Sequence, residues 1–209
     1  MKVLSSGIVD GWFEDRFGSR GSEFIYDVVP SRSIPFEIIN PPEGTVSFAF
    51  ILIDYDTVPE LGFAWINWMG ANLRRTKVEE NESLTATDFL QGYSSYSGHE
   101  GGFTDVRYGG MWPTDGRHTY TLQIFAVNRV LDLRDGFTYS ELIREVQRAR
   151  WPSRACQDCI PHTKGKGGAS GPFHRLRRRR LKKMADPPGF EPGSSASKAN
   201  RIIRYPKGP

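Results

Sequence analysis

Along the first 150 positions, apolar residues recur in patterns that predict strands far more often than helices. Ser47-Phe48-Ala49-Phe50-Ile51-Leu52-Ile53-Asp54 is nearly continuously apolar and rich in β-formers, which predicts a buried strand. The turn Pro41-Pro42-Glu43-Gly44-Thr45 precedes it. A second strand is predicted over Phe63–Leu73 and a third over Thr119–Val127. In the third, Leu122, Ile124 and Ala126 share one face, and Thr121, Gln123 and Phe125 the other. Phe24–Val29 predicts a fourth.

One helix is legible. Thr138 or Ser140 can cap the stretch Tyr139–Gln147, where Leu142, Ile143 and Val146 fall on one face. Strands joined by Gly/Pro-rich connections predict a mainly antiparallel β-sandwich with one or two short helices. The chain shows no internal repeat, heptad run, phosphate loop or G-x-S-x-G elbow. The polar connection from Glu80 to Trp112 is long, which marks either the rim of a site or a mobile excursion.

Near Trp151 the pattern stops. Residues 151–209 are rich in Pro, Gly, Ser and Arg with almost no aliphatic periodicity, so a disordered tail is expected there. Charge divides at the same place. The chain of 209 residues carries a formal +4, but residues 1–150 hold 14 Lys+Arg against 21 Asp+Glu, a net of −7, and the tail holds 14 against 3, a net of +11. Residues 174–183 are the basic core of that tail and read either as a solvated charge run or as a nucleic-acid arm. Gly189-Phe190-Glu191-Pro192 is also what the T-arm of a transfer RNA gene encodes when translated. It points to a frame lost near residue 150, with read-through beyond. Cys156 and Cys159 form the single Cys-x-x-Cys, too few ligands for a structural zinc site, and read as a chance pair.

No apolar run approaches the roughly 18–20 residues of a membrane helix, and residues 1–7 lack the apolar core of an export signal. The expectation is a cytoplasmic protein with no membrane span.

Two segments concentrate polar residues at strand ends. One is Asp54-Tyr55-Asp56-Thr57-Val58-Pro59 followed by Ile66-Asn67-Trp68, and the other runs from Tyr108 to Tyr120 and includes Gly110 and His118. Asp54 and Asp56 also suit a strand-end turn, His118 a structural histidine, and Trp65, Trp68 and Trp112 the core or a site wall. Asp54, Asp56 and His118 could alternatively serve as acid–base groups of a hydrolase. No Ser or Cys stands in an activated setting, no metal set closes and no cofactor is implied, so the reading is not an enzyme.

The same residues carry a resemblance. Asp54-Tyr55-Asp56-Thr57-Val58-Pro59 and the spaced set Tyr108, Gly110, Pro113, Gly116, His118 and Tyr120 resemble the two motifs of the phosphatidylethanolamine-binding protein family, in its bacterial and archaeal Raf-kinase-inhibitor-like branch. Ser33–Ile38 and Pro42–Phe48 resemble two further segments of that family, and the likeness covers roughly residues 1–148. It implies a small β-sandwich that binds a small anion or phosphorylated head group, with a protein partner as a further expectation. The binding residues it implies are Asp54, Asp56, Asn67, Gly110, His118 and Tyr120. A Tyr hydroxyl, a His N–H and a Gly backbone N–H can each donate to an anion, and an aspartate beside the histidine favours imidazolium. Asn67 stands where the family has a histidine and cannot carry its charge. Tyr55 and Met111 replace prolines, Thr119 replaces an arginine, and the family's last helix and strand find no counterpart in the tail. Anion binding is therefore expected to be weakened or altered.

Overall fold

In the computed structural model, which describes residues 1–97, 107–149, 158–159 and 163–164, the predicted apolar runs form the middle of an antiparallel sheet. The first six strands are short: β1 (Lys2–Leu4), β2 (Ile8–Val9), β3 (Trp12–Phe13), β4 (Phe24–Ile25), β5 (Val29–Pro30) and β6 (Phe36–Ile39). Then come β7 (Ser47–Asp54), a one-turn helix α1 (Val58–Leu61), β8 (Trp65–Leu73), β9 (Lys77–Val78) and β10 (Leu90–Gln91). The long β11 (Thr119–Val127) leads into α2 (Tyr139–Arg148), followed by β12 (Asp158–Cys159) and β13 (Thr163–Lys164).

The main sheet runs β10-β8-β7-β11, with β12 and β13 both pairing with β11, and a smaller sheet runs β1-β6-β9. Phe36, Ile38 and Val78 from the small sheet meet Phe50, Leu52 and Leu122 from the large one, so the principal core is the interior of a sandwich. T-shaped ring contacts of Phe50 with Phe36, Trp68 and Phe89 mark its centre. Gly70 makes this packing possible, because a Cβ there would lie 2.1 Å from the Phe50 ring.

The other face of the large sheet is buried as well. Ile51, Met69 and Ala71 pack against Leu131, Phe137 and Leu142, the last of these on α2. Burial on both sides explains why β7 is apolar at almost every position rather than alternating. It also changes the picture of β11. The face carrying Thr121, Gln123 and Phe125 is covered too, with Gln123 buried and Phe125 packed into the second cluster.

Two boundaries differ from expectation. Phe24–Val29 is not one strand but a tight hairpin, with Ile25 opposite Val29. Tyr26 and Asp27 sit at φ 53° and 58°, left-handed values that reverse the chain without a glycine. The strand expected from Phe63 begins at Trp65, because α1 and its left-handed Gly62 cap occupy the approach. The helix cap is Thr138, not Ser140: its hydroxyl accepts the Glu141 N–H while the Glu141 carboxylate accepts the Thr138 N–H at 2.8 Å.

Beyond residue 149 only the backbones of 158–159 and 163–164 are described, both antiparallel to β11. Cys156, the basic run 174–183 and Gly189–Pro192 lie outside the described residues. Among the described residues no helix is long and apolar enough to cross a membrane.

Candidate functional site

The site forms where β7 ends and β11 begins, and the ladder register creates it. Asp54, the last residue of β7, lies opposite Tyr120, the second residue of β11. Asp54 is 2% exposed, on the same side of the sheet as Leu52 and the principal core. A carboxylate this deep requires partners. Its Oδ1 accepts the Asp56 N–H at 2.9 Å, and its Oδ2 lies 2.7 Å from His118 Nδ1. Asp56 performs a different task. Its carboxylate accepts the Thr119 N–H at 2.7 Å, which anchors the start of β11 to the end of β7. Thr57 Oγ1 lies 3.0 Å from the carbonyls of Asp54 and Phe63, closing the loop between them.

His118 is held from both sides. Its Nε2 lies 2.6 Å from Asp115 Oδ1, so each ring nitrogen faces a carboxylate. Carboxylates only accept, so both nitrogens donate and the ring is an imidazolium. The Asp54 hydrogen bond is the leading cause of a rise in its pKa from 6.5 to about 9, opposed by burial and assisted by Asp115. The two aspartates differ in exposure. The Asp54 side chain is 3% exposed and that of Asp115 is 55% exposed.

Tyr120 and Tyr96 lie beside this ion pair, and Tyr108 neighbours Tyr96. Burial, with the charge of Asp54 added, pushes the Tyr96 and Tyr120 hydroxyls well above the ordinary tyrosine range. Burial does the same for Tyr108. All three are neutral hydroxyls at physiological pH. Tyr96 donates to Gly110 O at 2.7 Å, and Tyr108 donates to Phe17 O at 2.7 Å.

Asn67 arrives by a β-bulge. Leu52 pairs with Trp68 and Ile53 with Ile66, so Asn67 is the extra residue between two ladder steps. Its Nδ2 donates to Gly109 O at 2.8 Å and Gly110 O at 3.2 Å, while Oδ1 is buried with no hydrogen bond among the described residues. The Gly110 N–H is engaged too, donating to Pro30 O at 2.8 Å. A Cβ on Gly110 would stand 2.4 Å from Phe17 O, so glycine is needed for close backbone approach rather than for a turn.

The expected residues therefore separate into two groups. Asp54, His118 and Tyr120 converge. Asn67 and Gly110, expected as anion donors, are instead internal bonds that fix the Tyr108–Met111 segment, and Asp56 fixes a strand start. The long polar connection contributes Tyr96 and Tyr108 to the site wall, with residues 98–106 outside the described part. Sequence reasoning passed over Asp115. Its signal was present, an aspartate three residues before the histidine and separated from it by a turn glycine.

Comparisons with known proteins bear on the same region. The sequence model of the phosphatidylethanolamine-binding protein family matches residues 9–152. The uncharacterised protein YxkA of Bacillus subtilis is 30% identical over 141 residues, covering 64% of this chain and 80% of that protein. Two solved structures share the fold. A phosphatidylethanolamine-binding protein homologue from Chlamydia trachomatis superimposes with a TM-score of 0.58 at 18% identity, over 79% of this chain and 94% of its own. YbcL of E. coli, described as a member of the mammalian PEBP family, gives 0.57 at 17%, over 79% and 95%.

Proposed function

Because this chain belongs to the phosphatidylethanolamine-binding protein family, we propose that it is a binding and regulatory protein rather than an enzyme, and that it holds a small anion or phosphorylated head group at His118. The observation that carries this reading is the imidazolium just before β11, oriented by a buried aspartate and facing the exposed Asp115 through its second nitrogen. A fixed, largely desolvated cation is a strong anion donor, since little water competes for it. Asp54 orients the ring and keeps it charged. Tyr120, opposite Asp54 in the ladder, supplies a neutral hydroxyl beside the same centre. The ligand oxygen takes the Nε2 proton donor, and Asp115 swings to solvent as it arrives.

The altered first motif fits a narrower donor set. Asn67 does not reproduce a second cationic ring, so affinity falls mainly on His118. Calorimetric titration and thermal-shift measurements with inorganic phosphate and phosphoethanolamine test the reading. Stabilisation by either ligand is expected in the parent protein, abolished by His118→Ala and weakened by Tyr120→Phe. Equal stabilisation of the parent and the His118→Ala protein would overturn it.

A further inference from the structure

His118 presents only two ring donors, and Asp54 holds one of them from the buried side. The other is already covered. We propose that Asp115 is a resident competitor, a tethered carboxylate occupying the position that an incoming anion must take, so that ligand binding here is an exchange rather than a filling. This deepens the anion-site reading and rests on it.

The geometry supports exchange at every point. Asp115 Oδ1 sits 2.6 Å from Nε2, where the oxygen of any ligand donated to by this ring would lie. Its side chain is 55% exposed, so leaving the ring returns it to water with little desolvation to reverse. Asp54, 3% exposed and also bonded to the Asp56 N–H, has no comparable exit. The turn has room to move: a Cβ built on Gly116 meets nothing within 4 Å. Beside it, Thr114 Oγ1 donates to Glu60 Oε2 at 3.0 Å and the Arg117 guanidinium lies 5.1 Å from the Trp12 ring centroid.

Tethering sets the strength of the competition. A group linked by two residues acts at an effective concentration of about millimolar or more. A ligand that offers His118 a single oxygen, such as acetate, gains nothing over the carboxylate it displaces. A terminal phosphate carries up to twice the charge of a carboxylate, pairs more strongly with the imidazolium and can win the exchange. Asp115 thus excludes simple carboxylates and sets the affinity for phosphates.

Titration of the full chain with inorganic phosphate and with acetate, by calorimetry, separates the outcomes. Asp115→Ala is expected to tighten phosphate binding at least tenfold and to create measurable acetate binding. Asp115→Asn, which keeps an uncharged acceptor, should fall between it and the parent. Thr114→Val, which frees the turn without touching His118, should tighten phosphate binding a few-fold. Unchanged or weaker phosphate binding in a folded Asp115→Ala protein overturns the proposal. So does an equal gain from Glu60→Gln, because a general reduction of negative charge would then account for the effect. Absence of phosphate binding in every variant would instead remove the anion-site reading, and the exchange with it.

Discussion

Among the described residues two buried carboxylates hold cations, Asp54 at the site and Glu145 on α2, and they do so in different ways. Glu145 is 7% exposed and binds Arg129 at 2.8 Å, Arg148 at 3.0 Å and the Asp132 N–H at 3.2 Å. Burial opposes its charge, but the Asp132 N–H and the two arginines outweigh burial and lower its pKa. Its cations are 42% and 70% exposed, so each can hydrate if the carboxylate is lost. Asp54 holds a cation that is 5% exposed and cannot. The first arrangement ties a helix to the loop beneath it. The second keeps a desolvated charge whose remaining partner is exchangeable, and exchangeability separates a binding centre from a brace.

Three measurements can break or sharpen that contrast. Asp54→Ala should have the largest effect, since removing one partner of a buried pair costs about 3–5 kcal/mol. Chemical denaturation reads this loss, and phosphate binding should vanish with it. Next is the pH dependence of stability. His118 has a folded-state pKa of about 9, above its ordinary 6.5. Its contribution is therefore fully present below about pH 6.5 and is lost as pH rises through 9, on the order of 3 kcal/mol in all. Denaturation midpoints between pH 6 and 10 should follow that curve, and the His118→Ala protein should lack it. Glu145→Ala should have the smallest effect, about 1–2 kcal/mol, because its arginines return to water. Phosphate affinity should stay as in the parent. A Glu145→Ala protein that lost phosphate binding would erase the distinction.

The sequence made the strong elements legible and left the fine geometry hidden. β7 begins and ends where its apolar run does, because burial on both faces leaves few polar positions to blur the boundaries, and β11 follows its predicted alternation. The helix start is legible only as Thr138 or Ser140, and the capping box with Glu141 selects Thr138. The hairpin at Tyr26-Asp27 stayed hidden because neither residue is a glycine, so its reversal had no compositional signal. At the site, an aspartate beside His118 is an implication of the family resemblance, and the fold makes it Asp54 rather than Asp56. The internal use of Asn67 and Gly110 has no such signal. Whether an amide or a backbone N–H faces a ligand or a neighbouring carbonyl depends on a bulge and on chain crossings from Phe17 and Pro30, which no local pattern records.

That bulge has a consequence for any attempt to rebuild this protein. The additional residue at Asn67 reverses the counting parity of β8, so that Trp68 and Ile66, two positions apart, belong to opposite sides of the sheet. A designer who aligned β8 by simple alternation would place half of it inside out. Removing Asn67 would restore alternation and keep Ile66 and Trp68 on their present sides, but at the loss of its bonds to Gly109 and Gly110. β8 is in effect written in three reading phases, with one break at Asn67 and a second between Gly70 and Leu73.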